Sequence, residues 1–256
     1  MTDSLHLDIA HGIARLRLDR AGRRNAFDLA MWQAFPDLVD EAMADTTVRL
    51  LIVESASPGM FCAGADIHEF ATSAQDPAWR EANNGAIRRT QVTLARAPKP
   101  TLAVIDGDCI GGGCGLALAC DLRIASPRGR FGITPAKLGL VYPLHDTRLL
   151  VDLVGPAQAR RLLFTAMHID AAEALRIGLI EQVVDDLDAA VVTYAAAILA
   201  GSGHSQRAAK AIVVRILAGE ADDTPDTAAQ FDAAFDGPDF AEGVAAFVQR
   251  RKPVFA

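Results

Sequence analysis

Three stretches of this sequence hold the groups able to do chemistry. "GMFCAGADI" (Gly59 to Ile67) and "GDCIGGGCG" (Gly107 to Gly115) are rich in glycine. "TPAKLGLVYPLHD" (Thr134 to Asp146) brings a phenol, an imidazole and a carboxylate close together. Three consecutive glycines, Gly111 to Gly113, sit directly before an apolar run of helical spacing. Each glycine costs about 1 kcal/mol against alanine inside a helix, so three in a row need a reason. Glycine lets a ligand approach the backbone closely. A helix starting at Gly112 also offers unpaired N–H groups and its positive dipole end to an anion.

Tyr142 can donate a hydrogen bond without acting as a strong base. A neutral histidine makes a competent base near pH 7, which makes His145 a candidate. It pairs in sequence with Asp146, which is also placed to cap a helix beginning at Thr147. Other ionisable groups have plainer readings. Asp106 and Asp108 flank Gly107 in a turn, where aspartate is common for backbone reasons. His68 follows the first glycine loop towards solvent or a nucleotide, Lys137 reads as a surface charge, and Cys114 lies in an apolar run with no base beside it. Two familiar glycine motifs are excluded. A phosphate-cradling loop needs Gly-Lys-Ser/Thr at its end, and the dinucleotide fingerprint needs GxGxxG at the first strand–helix turn.

Both glycine loops follow buried strands, expected over Val48–Ser55 and Thr101–Asp106. The carboxyl ends of such strands are where α/β sheets bind ligands. Upstream, Leu5 to Arg20 alternates around a His-Gly turn and reads as a hairpin. A helix is expected over Phe27–Ala44, with Asp28 favouring its start. A polar stretch from Ala71 to Asn84 leads into a helix ending near Arg96, stopped by Pro98-Lys99-Pro100. A helix from Gly112 and a strand over Asp121–Ser126 follow. Beyond Thr147 strand signals fade, and helices are expected over 147–154, 156–165, 171–177, 187–200, 204–218 and 225–250, broken near Gly237-Pro238. The reading is an α/β core with an all-helical C-terminal part and no internal repeat.

The chain has 256 residues, 51% hydrophobic and 22% charged, ordinary for a soluble globular protein. A net charge of -7 argues against a protein that mainly holds nucleic acid. No basic segment followed by an apolar core opens the sequence, and no run reaches the roughly 18 apolar residues of a membrane helix. Cytoplasmic localisation without a membrane partner is expected. Cys62, Cys109, Cys114 and Cys120 form no CxxC pair and lie at no zinc-like spacing from histidine, so buried free thiols and no metal site are expected.

"FCAGADIHEF", "GGGCGLALACDLRIAS", "FGITPAKLGLVYP" and "LLFTAMHIDAAEALRIGLIEQVV" together resemble the crotonase, or enoyl-CoA hydratase/isomerase, superfamily. The likeness runs from about Leu16 to the closing "FVQRRKPVF", with its segments in the family order. It implies the crotonase (ClpP-like) α/β fold of repeated ββα units forming two perpendicular sheets. The core would cover 1–195 and a helical trimerisation region 196–256, in a homotrimer or dimer of trimers. The substrate would be an acyl-CoA thioester, with no cofactor beyond its coenzyme A moiety. The resemblance puts the two N–H groups that hold the thioester oxygen at Ala65 and Gly112. It puts coenzyme A against Arg23, Arg24, Ala26, Ala63, Asp66, Ile67 and Gly111. "RRK" supplies Lys252 as a phosphate partner, from this or a neighbouring subunit. Gln75 to Asn84 would line the acyl pocket.

One departure stands out. Family hydratases use two glutamates, and the matching positions here hold Gly115 and Pro135. Neither moves a proton, and general acid–base catalysis contributes about 10²–10⁴ in rate. "TPAKLGLVYPL" resembles the segment of methylmalonyl-CoA decarboxylase, a superfamily member with a tyrosine at the position of Tyr142, although that enzyme keeps a glutamate at the Gly115 position. A hydrolytic branch uses His and Asp on C–C bonds. The expectation is therefore a lyase or isomerase of this family that stabilises a thioester enolate. The alternatives are a decarboxylase or hydrolase of a β-carbonyl acyl-CoA, assisted by Tyr142 or His145, and a non-catalytic CoA-binding oligomer. A dinucleotide-dependent reductase is disfavoured by the missing fingerprint.

Overall fold

The computed structural model describes residues 3–255. The outermost ends of the two regions expected above, Met1, Thr2 and Ala256, lie outside the described residues.

The chain opens with a hairpin of β1 (Leu5–Ala10) and β2 (Ile13–Leu18), in register from Leu5 opposite Leu18 to Ala10 opposite Ile13. Its turn uses His11 and Gly12, both at positive φ (51° and 81°), the geometry a tight hairpin demands. Helix α1 (Leu29–Ala44) follows, and Asp28 caps it by accepting from the Met31 N–H at 2.9 Å, as its position in the sequence predicts. Next come β3 (Leu50–Ser55) and the short β4 (Met60–Cys62). The expected polar stretch is two helices, α2 (Ile67–Ser73) and α3 (Pro77–Ala95). Asp76 caps α3 through the Ala78 N–H and Pro77 fills its first position, so the helix begins well before Asn84.

Strand β5 (Thr101–Ile105) leads to β6 (Asp108–Ile110), helix α4 (Gly112–Ala119), β7 (Leu122–Ala125) and β8 (Arg130–Gly132). Helix α5 (Leu144–Thr165) then bends at Gly155, whose φ is 71°. It starts before Thr147, with Pro143 at its N-cap, so Asp146 lies inside the first turn and caps nothing. Strands appear where none are expected: the three-residue β4, β6 and β8, and then β9 (Ile169–Asp170) and β10 (Gln182–Val183), each only two residues long. The remaining helices are α6 (Ala171–Arg176), α7 (Leu187–Ala200), α8 (Gly203–Leu217), α9 (Pro225–Phe235) and α10 (Pro238–Gln249).

The strands form two sheets, in the orders β1-β2-β3-β5-β7-β10 and β4-β6-β8-β9. This is the mixed α/β, two-sheet fold the resemblance implies. Beyond the β1–β2 hairpin the larger sheet is parallel. Its central strands are continuous apolar runs because both faces are covered. Leu51 and Val53 belong to the main core, while Leu50 and Ile52 pack against Val191 and Ala195 of α7, the alternation a strand imposes. Helix α4 is buried at every residue from Gly113 to Ala119, so it is apolar all round rather than amphipathic. It is the fixed element on which the site is built. Among the described residues no helix is long and apolar enough to cross a membrane.

Candidate active site

A cavity of about 480 Å³ is lined by Gly64, Ala65, Gly111, Gly112, Tyr142 and Asp146, among others. One wall is the loop after β4. Here the Phe27 N–H donates to the Gly64 carbonyl at 2.7 Å and the Asp66 N–H donates to the Phe27 carbonyl at 2.8 Å. That alternation turns the Ala65 N–H away from Phe27. The facing wall is the start of α4, where Gly112 is the first helical residue and so has no acceptor within the helix.

Glycine brings these two walls together. At Gly64 (φ +95°) an added β-carbon would lie 2.7 Å from the Ile110 carbonyl oxygen and 3.1 Å from the Gly112 nitrogen. At Gly112 it would meet the Trp32 ring at 3.0 Å and the Ala65 nitrogen at 3.7 Å. At Gly113 it would lie 2.3 Å from the Cys62 carbonyl oxygen. The glycines thus let backbone touch backbone, and the amides of Ala65 and Gly112 adjoin at the cavity wall.

One helical turn further along α4, Gly115 makes room for side chains of other helices. A β-carbon there would lie 2.4 Å from Gln91 Nε2 and 3.2 Å from Asp146 Oδ2. Asp146 is 2% exposed. Burial pushes its carboxyl pKa up, against the opposing hydrogen bond with His145 Nδ1 at 3.3 Å. Gln91 is fully buried, and neither its Nε2 nor its Oε1 has a hydrogen-bond partner within the chain. A buried polar group left unsatisfied costs about 1–3 kcal/mol.

The Tyr142 hydroxyl donates to the Gly111 carbonyl at 3.4 Å. Burial raises its pKa, as do the neighbouring Cys114 and Asp146, so the phenol stays protonated. His145 is partly exposed and is not among the residues lining the cavity, nor is the exposed His68. His168, which sequence reasoning passes over, does line it. Partial burial and the charges of Lys137 and Arg130 lower its pKa, keeping the imidazole neutral. Pro135 and Lys137 also line the cavity, and Asn84 does so from the stretch Gln75 to Asn84. Nothing in the sequence separates Gln91 from the other polar residues of α3. Asp146 is visible there only as a helix cap or as the partner of His145.

The residues matched to coenzyme A are only partly at the cavity. Ala63 and Ile67 line the cavity. Arg23 and Arg24 are exposed at the 3-10 turn Ala21–Arg23, and Arg24 pairs with Asp108. Ala26 is buried beneath, its carbonyl accepting from Arg20 at 2.7 Å. Burial works to raise the pKa of Asp66, but Arg20 at 2.8 Å and the His68 N–H hold it below the usual carboxylate range. Lys252 lies on the exposed C-terminal segment and does not line this cavity.

The four cysteines are buried and free, as expected. Burial pushes the Cys62 and Cys120 thiols up to about 12 and raises that of Cys109. None of these three offers a thiolate for nucleophilic work. Among the described residues no three His, Cys, Asp or Glu side chains cluster as a metal site.

Comparisons with known proteins agree with this architecture. The family described as "Enoyl-CoA hydratase/isomerase" matches residues 8–256. A crotonyl-CoA hydratase from Syntrophomonas wolfei is 33% identical over 258 residues, covering 99% of this chain and 98% of that protein. The mitochondrial methylglutaconyl-CoA hydratase of Mus musculus is 36% identical over 174 residues, which is 68% of this chain. The match spans only about half of that relative's length, 55%. A solved structure of an enoyl-CoA hydratase/isomerase family protein from Hyphomonas neptunium superposes with a TM-score of 0.95 at 39% identity, covering 99% of this chain and 97% of that one.

Proposed function

This chain belongs to the enoyl-CoA hydratase/isomerase family, the crotonase superfamily, and we propose that it binds an acyl-CoA thioester and stabilises its enolate. The observation that carries this reading is the adjoining of the Ala65 and Gly112 amides across a contact that only glycine permits. When the carbon beside a thioester loses a proton, negative charge develops on the thioester oxygen. Donors already aimed at that oxygen are each worth about 2.7–4 kcal/mol. The N–H groups of Ala65 and Gly112 are such donors, and Gly112 adds the positive end of α4. Coenzyme A runs past Ala63, Asp66, Ile67 and Gly111, with Arg23, Arg24 and Lys252 for its phosphates. The reaction draws on no further cofactor.

Addition of water by two glutamates is not part of the proposal, because Gly115 and Pro135 stand where those residues would be. A second reading, decarboxylation of a β-carbonyl acyl-CoA, is favoured by one observation. Tyr142 presents a protonated phenol on the cavity wall, able to orient a departing carboxylate while the same amides hold the enolate.

We place the protein in the cytoplasm as a homotrimer or dimer of trimers, its core at 1–195 and its assembly region at 196–256. Support for assembly comes from apolar side chains left exposed on α9 and α10, among them Phe231, Phe240 and Phe247.

Incubation with crotonyl-CoA, followed by loss of the conjugated-thioester absorbance, beside methylmalonyl-CoA followed by mass spectrometry, tests the reading. Binding without rapid hydration agrees with it. Rapid hydration contradicts the argument from Gly115 and Pro135. Release of carbon dioxide selects the second reading and makes Tyr142→Phe the next variant. Bound coenzyme A with no turnover of any thioester would indicate a non-catalytic binding protein.

A further inference from the structure

The position that carries a glutamate in the family's hydratases is Gly115 here, yet a carboxylate stands beside it. Asp146 Oδ2 lies 3.2 Å from where the Gly115 β-carbon would be, and it arrives from α5 rather than α4. We infer that Asp146 is the proton-carrying catalytic residue of this enzyme, and that Gly115 is glycine because the space is taken by groups from neighbouring helices.

Four observations carry this. Asp146 is buried yet lines the same cavity as Ala65 and Gly112. Gly115 and Gly112 lie three residues apart on α4, on one face and about 4.5 Å apart along the axis, so the carboxylate stands roughly one turn from the thioester-oxygen donor. Gln91, fully buried, unpaired within the chain and outside the cavity lining, fills the same side of Gly115, its Nε2 2.4 Å from where the β-carbon would be. Finally, burial raises the pKa of the Asp146 carboxyl above its ordinary value, the direction that suits an acid–base group.

The step balances without any further reactant. The C–H bond next to the thioester carbonyl breaks, and its proton goes to Asp146 Oδ2. The electron pair becomes the enolate double bond, and the oxygen charge is held by the Ala65 and Gly112 N–H groups. Asp146 then returns the proton to the same carbon or, where the acyl chain carries a β,γ double bond, to its γ-carbon, the double bond shifting to the α,β position. This inference rests on the acyl-CoA reading above.

Two measurements on the 256-residue chain separate them. Exchange of the α-protons of butyryl-CoA into deuterated water reports proton transfer. The carbonyl stretch of bound crotonyl-CoA reports the thioester contact alone. In Asp146→Asn, exchange should fall by about 10²–10⁴-fold while the shifted carbonyl stretch remains. Exchange at the wild-type rate in this variant overturns the assignment of Asp146 and leaves the acyl-CoA reading intact, as does a wild-type protein that shifts the stretch without exchanging protons. An unshifted stretch in wild-type protein overturns the reading beneath it. A second variant, Asp146→Glu, keeps a carboxyl on α5 and should retain part of the exchange. Loss in Asp146→Glu as deep as in Asp146→Asn would also count against the assignment.

Discussion

Asp146 and Gly115 share one space: the carboxylate oxygen of the first lies 3.2 Å from the β-carbon the second does not have. The side chains that fill the region come from α3 and α5, and α4 contributes only its backbone.

That arrangement has a thermodynamic signature. Burial raises the Asp146 pKa, so the folded state binds a proton more readily than the unfolded chain. Stability from this group is greatest at low pH and falls as pH rises from the ordinary aspartate value towards the raised one. Asp146→Asn removes the buried charge and keeps the shape. Its melting temperature at neutral pH should exceed the wild-type value, by about 2–4 °C for each kcal/mol relieved in a chain of this size. The gap should close below about pH 4, where wild-type Asp146 is protonated in both states. Melting curves of both proteins across this range check it, and a gap independent of pH would rule out the buried charge as its cause.

Gly64→Ala should separate the two amides. A β-carbon at φ +95° is strained, and it would press on the Ile110 carbonyl oxygen at 2.7 Å and on the Gly112 nitrogen at 3.1 Å. Backbone strain of this kind costs about 1–3 kcal/mol. Loss of one aligned donor costs about 10²–10³-fold in turnover. Kinetics with whichever thioester turns over, beside a melting curve, should show a modest stability loss and a much larger activity loss.

Native thiols should be silent. Cys62 donates to the Asn25 carbonyl at 3.0 Å and, like Cys120, has its pKa pushed up to about 12 by burial. An aromatic disulfide reagent at pH 8 should label none of the four cysteines in native protein and all four in denaturant. Rapid labelling of Cys114 in native protein would reopen the case for a reactive thiol.

The C-terminal segment is pinned by one glutamate. Glu242 accepts from Arg251 at 2.7 Å and from the Val254 N–H at 2.7 Å. These bonds, Arg251 first, lower its pKa to about 2. The pinning is therefore complete above the ordinary glutamate pKa of about 4.3 and is lost as pH falls towards 2. Glu242→Gln should expose residues 250–255 to limited proteolysis by trypsin and raise KM for coenzyme A thioesters through Lys252, with kcat held. An unchanged KM would remove Lys252 from the coenzyme A contact.

How far the sequence discloses this molecule follows from signal length. The hairpin at Leu5–Leu18, the Asp28 cap and the buried strands β3 and β5 are long or punctuated enough to read. The smaller sheet is not. Its strands Met60–Cys62, Asp108–Ile110 and Arg130–Gly132 are three residues each, too short for a period of two to show. The end of helix α3 near Arg96 is legible, but its first two turns hide because they are polar and the start depends on Asp76 and Pro77 rather than on apolar spacing. The glycine loops are legible as a place for backbone donors, since only a close approach explains Gly111 to Gly113. Asp146 is less so, because neighbouring helical side chains point about 100° apart and the choice between His145 and Asp146 depends on how α5 is set against α4.

The most direct test of the thioester pocket is the infrared difference spectrum of crotonyl-CoA carrying carbon-13 at its carbonyl, bound to wild-type protein and to Gly64→Ala. Two donors on the thioester oxygen should move the labelled band to lower frequency in wild-type protein, with the shift largely lost in the variant. A band at its solution frequency in saturated wild-type protein would contradict a thioester held by Ala65 and Gly112.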